Sequence, residues 1–127
     1  VLAVDQTLVI HGSMPRLNDT IRATKAHWSR YAAEKRKYTE AVAWAALEAK
    51  LRPVTAPVEI TFHWYSKDRR ADPDNIRYAA KHILDGLQAA KILPNDNYKW
   101  IRGFRDLFAV DRDDPRTEIT LREVRLP

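Results

Sequence analysis

Residues 56–66, APVEITFHWYS, alternate so that Val58, Ile60, Phe62 and Trp64 project to one side of an extended chain. A strand with one apolar face is not stable alone. It needs neighbours in a sheet and a second layer over that face. The chain supplies candidates for both. TLVIHG (7–12), YKWIRGFRDLFAV (98–110) and TEITLREV (117–124) read as further strands, the last two joined by the turn-forming DRDDPR. Residues 26–51 are rich in Ala, Glu and Lys and lack Pro and Gly, which predicts a long helix ended by Pro53. Its buried stripe would be Tyr38, Val42, Ala45, Ala46 and Ala49. DNIRYAAKHILDGLQAAK (74–91) predicts a second helix, stopped by Pro94 and Asn95. It carries a stripe of Ile76, Ala79, Ala80, Ile83, Leu84, Leu87 and Ala90. Pro15, Asn18 and Asp19 mark a loop or short turn after the first strand.

This order predicts an α/β (α+β) fold: a mixed sheet of about four strands packed with two main helices. The 127 residues suit one domain, residues 1–127. Lys and Arg number 22 against 17 Asp and Glu, for a formal charge of +5. That excess favours an acidic partner, nucleic acid being the commonest, without identifying one. The absence of cysteine excludes disulfides, thiolate zinc sites and Cys nucleophiles. No apolar run is long enough to cross a bilayer, and VLAVDQTLVIHG lacks the pattern of a signal peptide. A soluble cytoplasmic protein with no membrane partner is the expectation.

The segment RRADPDNIRYAAK (69–81) holds acids inside a run of positive charge, and it supports two readings. Asp72 is a natural N-cap with Pro73 at the first helical position, and Asp74 suits the positive end of the helix. Equally, two carboxylates spaced around a rigid proline can turn to one point, which is how a hard cation such as Mg²⁺ is held. Lys67, Arg69, Arg70, Arg77 and Lys81 flank them, as a site for a polyanion requires. On a regular helix over 74–91, Lys81 returns to the face of Asp74, and Asp85 follows four residues later. Asp96, in LPND, is either a loop cap or a third metal ligand. A helix of that length spans about 27 Å, so bringing Asp96 back to the site requires a tilt or a partner chain.

Other residues carry less. His11, His27, His63 and His82 include no pair at zinc-ligand spacing. Gly86 is either a tolerated helix glycine or a place where another backbone comes close. EKRKY (34–38) reads as a solvated face or a phosphate track. Trp28, Trp44, Trp64 and Trp100 suit a core or an interface better than base stacking, and DRDD (111–114) reads as a solvated turn.

Together, DPDN (72–75), Lys81, DGL (85–87) and PND (94–96) resemble the RusA-type Holliday-junction resolvases, which carry an acidic D-x-D-N opening a helix, a lysine on it, D-x-L, and a final loop Asp. PRLN (15–18) ahead of a long basic helix agrees. Specific motifs cover about a quarter of the chain. The resemblance implies a RusA-like fold and a Mg²⁺-dependent endodeoxyribonuclease that resolves four-way DNA junctions by paired nicks in recombination and repair. It also implies a homodimer. By it, Asp72, Asp74 and Asp96 would bind Mg²⁺, and Lys81 would be the functional lysine. This chain departs from the pattern twice. Lys81 follows Asn75 by six residues, where some family members have three, and Asn95-Asp96 stands where two acids can occur.

Two alternatives stay open on the sequence. One is a non-catalytic basic DNA-binding module of the same fold, in which the acids are caps. The other is a metal-dependent hydrolase of small phosphorylated molecules, which a deep closed pocket would support.

Overall fold

The computed structural model describes residues 5–16 and 28–124. The chain runs β1 (Gln6–His11), α1 (Trp28–Glu48), β2 (Val58–Ser66), α2 (Pro73–Arg77), α3 (Ala80–Ala89), β3 (Ile101–Val110) and β4 (Arg116–Glu123). The four strands form one mixed sheet in the order β1-β4-β2-β3. β4 pairs antiparallel with both β1 and β2, while β2 and β3 are parallel. Parallel neighbours need a crossover connection, and α2 and α3 supply it. The expected fold class is therefore observed. The turn expected around Asn18 and Asp19 lies outside the described residues, as do His27 and the side chain of Trp28.

β2 is central, and its alternation is expressed as expected: Val58, Ile60, Phe62 and Trp64 are all buried against the helices. Leu8, Ile119 and Leu121 extend the core along the sheet, and Val42, Ala46, Ile83 and Leu87 close it from the helix layer. Of the predicted α1 stripe, Val42 and Ala46 are fully buried, Tyr38 and Ala45 only partly, and Ala49 is exposed. Trp64 is a core residue and Trp100 packs against the core, whereas Trp44 is exposed on α1. Among the described residues no helix is long and apolar enough to cross a membrane.

The helix ends differ from the expectation. Neither proline stops its helix; both helices end several residues earlier, in the same device. Lys50 and Lys91 adopt left-handed backbone (φ 55° and 61°). Leu51 N–H then donates to the Ala46 carbonyl, and Ile92 N–H to that of Leu87. These six-to-one bonds, with the Lys50 and Lys91 amides donating to Leu47 and Gln88, are Schellman closures. They turn Leu51 and Ile92 back onto the core.

Gly86 answers the question its sequence position raised. A Cβ there would strike the Val42 side chain and lie 2.9 Å from the Thr39 carbonyl oxygen. α1 crosses α3 at this glycine because no side chain stands between the backbones.

His82 is buried beside that crossing, 3% exposed, and neither ring nitrogen has a hydrogen-bond partner among the described residues. The Tyr38 and Tyr78 rings lie 5.9 and 5.8 Å away. Burial lowers its pKa; the charge of Asp85 opposes this, and those of Lys35 and Lys81 reinforce it. The folded state therefore resists a proton that the unfolded chain accepts near pH 6.5. Stability should be level above that pH and decline below it, by at most about 1.4 kcal/mol per pH unit for one proton. Urea midpoints at pH 7.5 and 5.5 should show this decline, and His82→Phe should reduce it.

Candidate active site

The polar loop after β2 carries Lys67, Arg69 and Arg70, all exposed. Asp68 organises it: one carboxylate oxygen accepts the Arg70 backbone N–H at 3.0 Å, and this bond, before the neighbouring cations, lowers the Asp68 pKa. The chain then turns into α2. Asp72 holds the N-cap position in extended backbone (φ −74°, ψ 150°), with Pro73 following. The cap reading is half right. The backbone geometry is that of a cap, and the Asp72 carbonyl accepts from the Ile76 N–H at 3.1 Å. The Asp72 carboxylate makes no cap hydrogen bond and is exposed to solvent. Asp74, also exposed, has one oxygen 2.9 Å from the Asn75 N–H.

The expected continuous helix over 74–91 is broken at Tyr78 and Ala79, into α2 of five residues and α3 of ten. The break falls between Asn75 and Lys81. It makes the straight-helix arithmetic for Lys81 inapplicable. Even so, Asp74 and Lys81 line one open cleft of about 470 Å³, with Arg77, Tyr78, Leu84 and Phe104.

Asp96 comes back as far as Lys81. α3 alone is about 15 Å long, and its Schellman closure reverses the chain. Lys81 Nζ then lies 3.2 Å from Asp85 Oδ1 and 3.9 Å from Asp96 Oδ2. One chain thus gathers Asp85 and Asp96 about Lys81. Asn95 Oδ1 accepts the Asp96 N–H at 2.7 Å, which fixes the loop locally.

Arg77 is placed differently from the other flanking cations. Its Nε donates to Asp106 Oδ2 at 2.8 Å, and the other Asp106 oxygen accepts from Trp64 Nε1, also at 2.8 Å. The guanidinium lies 5.1 Å over the Phe104 ring. Asp106 and Phe104 are the residues that the sequence alone did not single out. The available signal was their phase: in register with Phe62 and Ile60 on the parallel neighbour, they share the helix-side face of the sheet.

The DRDD turn is more structured than a solvated loop. Arg116 Nη1 donates to Asp111 Oδ2 at 2.8 Å and its Nε to Glu118 Oε2 at 2.7 Å. Its guanidinium sits 3.9 Å over the Tyr65 ring. These bonds, that to Glu118 first, raise the Arg116 pKa, and the Arg116 bond lowers that of Asp111. The cluster is internally paired and lies apart from the cleft residues.

Among the described residues no group of three His, Asp or Glu side chains converges closely enough to hold a metal ion. The donor chemistry nonetheless suits Mg²⁺. All the candidates are carboxylates, and Asp72 and Asp74 are exposed one residue apart. Mg²⁺ is ordinarily held by one or two carboxylates together with waters and substrate phosphate. No protein-family model matches this chain, and no curated protein matches it in sequence.

Proposed function

We propose that this chain is a Mg²⁺-dependent, RusA-like endodeoxyribonuclease that cuts four-way DNA junctions by paired nicks and works as a homodimer. The observation that carries the reading is the state of the acids: the Asp72 carboxylate caps nothing, and Asp74 shares an open cleft with Lys81. A cap function alone leaves that exposed carboxylate and the approach of Asp96 to Lys81 without a purpose.

Asp72 and Asp74 would hold the metal, with Asp96 the third ligand that the resemblance implies. Bound there, Mg²⁺ supplies Lewis acidity at a phosphodiester. The protein's own part is positional and electrostatic. Lys67, Arg69 and Arg70, on the exposed loop, bind backbone phosphates and carry no sequence preference of their own. Lys81 is held in place by Asp85 and Asp96, and its ammonium offsets charge growing on the departing 3′ oxygen. An open cleft suits a duplex arm better than a small phosphorylated molecule, which a closed pocket would enclose.

The test is incubation of the protein with a synthetic four-way junction, with and without Mg²⁺. Symmetric nicks in opposing strands, only with Mg²⁺, are the expected result. Salt-sensitive binding with no nicking of any branched substrate would replace this reading with the non-catalytic DNA-binding module.

A further inference from the structure

β3 is an edge strand, and the residues of its helix-side face are unevenly covered. Ile101, Phe104, Asp106 and Phe108 lie on that face, with Arg102 at the register shift between them. Asp106 is partly buried beneath Arg77, but Phe104 is 46% exposed and Phe108 41%. An aromatic ring this open on a sheet face disfavours a purely structural role, because burial is what a core phenylalanine contributes.

The surroundings of Phe104 indicate its occupant. It lines the same cleft as Asp74 and Lys81. One side of the ring is taken by the Arg77 guanidinium, at 5.1 Å, which Asp106 holds in position. Its inner side meets the buried Phe62 ring at a centroid distance of 6.0 Å. A half-exposed π surface with a guanidinium held against it complements a group that is flat, aromatic and attached to a phosphate. That description fits a nucleotide and disfavours an apolar peptide, which has no charge to match the arginine.

We propose that the Arg77–Phe104 pair is a stacking platform for an unpaired base next to the scissile phosphate, giving the enzyme its preference for branched over continuous duplex DNA. This rests on the nuclease reading above. In a continuous duplex every base is already stacked and the platform stays empty. At a branch point an unstacked base reaches it at little cost, and stacking on an aromatic side chain or an arginine plane is the usual means of holding such a base.

The test uses the whole protein, without metal, so that binding is read apart from cleavage. Two DNA probes are compared by fluorescence anisotropy: a continuous duplex, and a four-way junction with 2-aminopurine unpaired at the branch point. Phe104→Leu keeps an apolar side chain and removes the π face; Phe104→Trp restores it. Phe104→Leu should weaken junction binding by about tenfold, within the range found for loss of one base stack. It should leave duplex binding unchanged and abolish the 2-aminopurine fluorescence change, whereas Phe104→Trp should retain both signals. Equal junction affinity and an equal fluorescence change in Phe104→Leu and the unaltered protein would overturn the platform while leaving the nuclease reading intact. Failure of the unaltered protein to bind either DNA at low salt would overturn both.

Discussion

Asp72→Asn should lower Mg²⁺-dependent junction cleavage by more than about 100-fold, while junction binding and folding stay close to those of the unaltered protein. The expected loss exceeds the roughly 10- to 100-fold cost of disturbing a metal ligand's outer partner, because the ligand charge itself is removed. Folding is spared for a local reason. The Asp72 carboxylate is exposed and caps nothing, and asparagine is as good an N-cap as aspartate. Binding is spared because the cations at Lys67, Arg69 and Arg70 remain, and phosphate contacts dominate affinity for DNA. The measurements are single-turnover cleavage, anisotropy without metal, and a urea midpoint. Parallel loss of cleavage and stability would instead make Asp72 a structural acid. Asp74→Asn should behave alike in cleavage.

Gly86→Ala should be the most destabilising single-methyl change in the molecule, by about 1–3 kcal/mol or somewhat more. Elsewhere in a helix this substitution is favourable by about 1 kcal/mol, so the sign of the effect is diagnostic. Here the added Cβ meets the Val42 side chain and comes within 2.9 Å of the Thr39 backbone oxygen, and backbone cannot rotate away as the end of a long side chain can. α1 must lift from α3, which opens the packing around Val42, Ala46, Ile83 and Leu87. For a chain of this size the melting temperature should fall by roughly 5–15 °C. A Tm equal to or above that of the unaltered protein would show that the helix crossing is loose. Gly12, the other glycine with a clear constraint, differs in kind. A Cβ there meets nothing within 4 Å, but its φ of +87° is costly for any side chain.

Gly86 is recognisable as a possible close approach because glycine inside a helical stripe is locally unfavourable. Which backbone approaches it is not recognisable, since Thr39 and Val42 lie more than forty residues away. Asp72 is recognisable as a cap by its place before Pro73. Whether its carboxylate serves the helix or faces solvent is a matter of side-chain orientation, to which sequence spacing is blind. Lys81 shows the converse. The straight-helix argument for it fails at Tyr78 and Ala79, yet Lys81 still lines the cleft with Asp74, because the buried positions Ala80, Ile83, Leu84 and Leu87 fix the rotation of α3.

The four strands, the two helical regions and the buried face of β2 are legible in the residues alone, though the break at Tyr78 and Ala79 is not. Alternation and helical spacing are local signals, and burial of an apolar face on a sheet or helix stems directly from them. The sequence also brought Asp72, Asp74, Lys81 and Asp96 to notice as a set. Which of them come together rests on tertiary packing: Asp74 shares a cleft with Lys81, and the early Schellman closure of α3 leaves Asp96 3.9 Å from the Lys81 ammonium. That packing also joins Arg77 and Trp64 to Asp106, across 29 and 42 residues of chain. Contacts of that range depend on how β2, β3 and the crossover helices stack in three dimensions, and no periodicity within one segment encodes them.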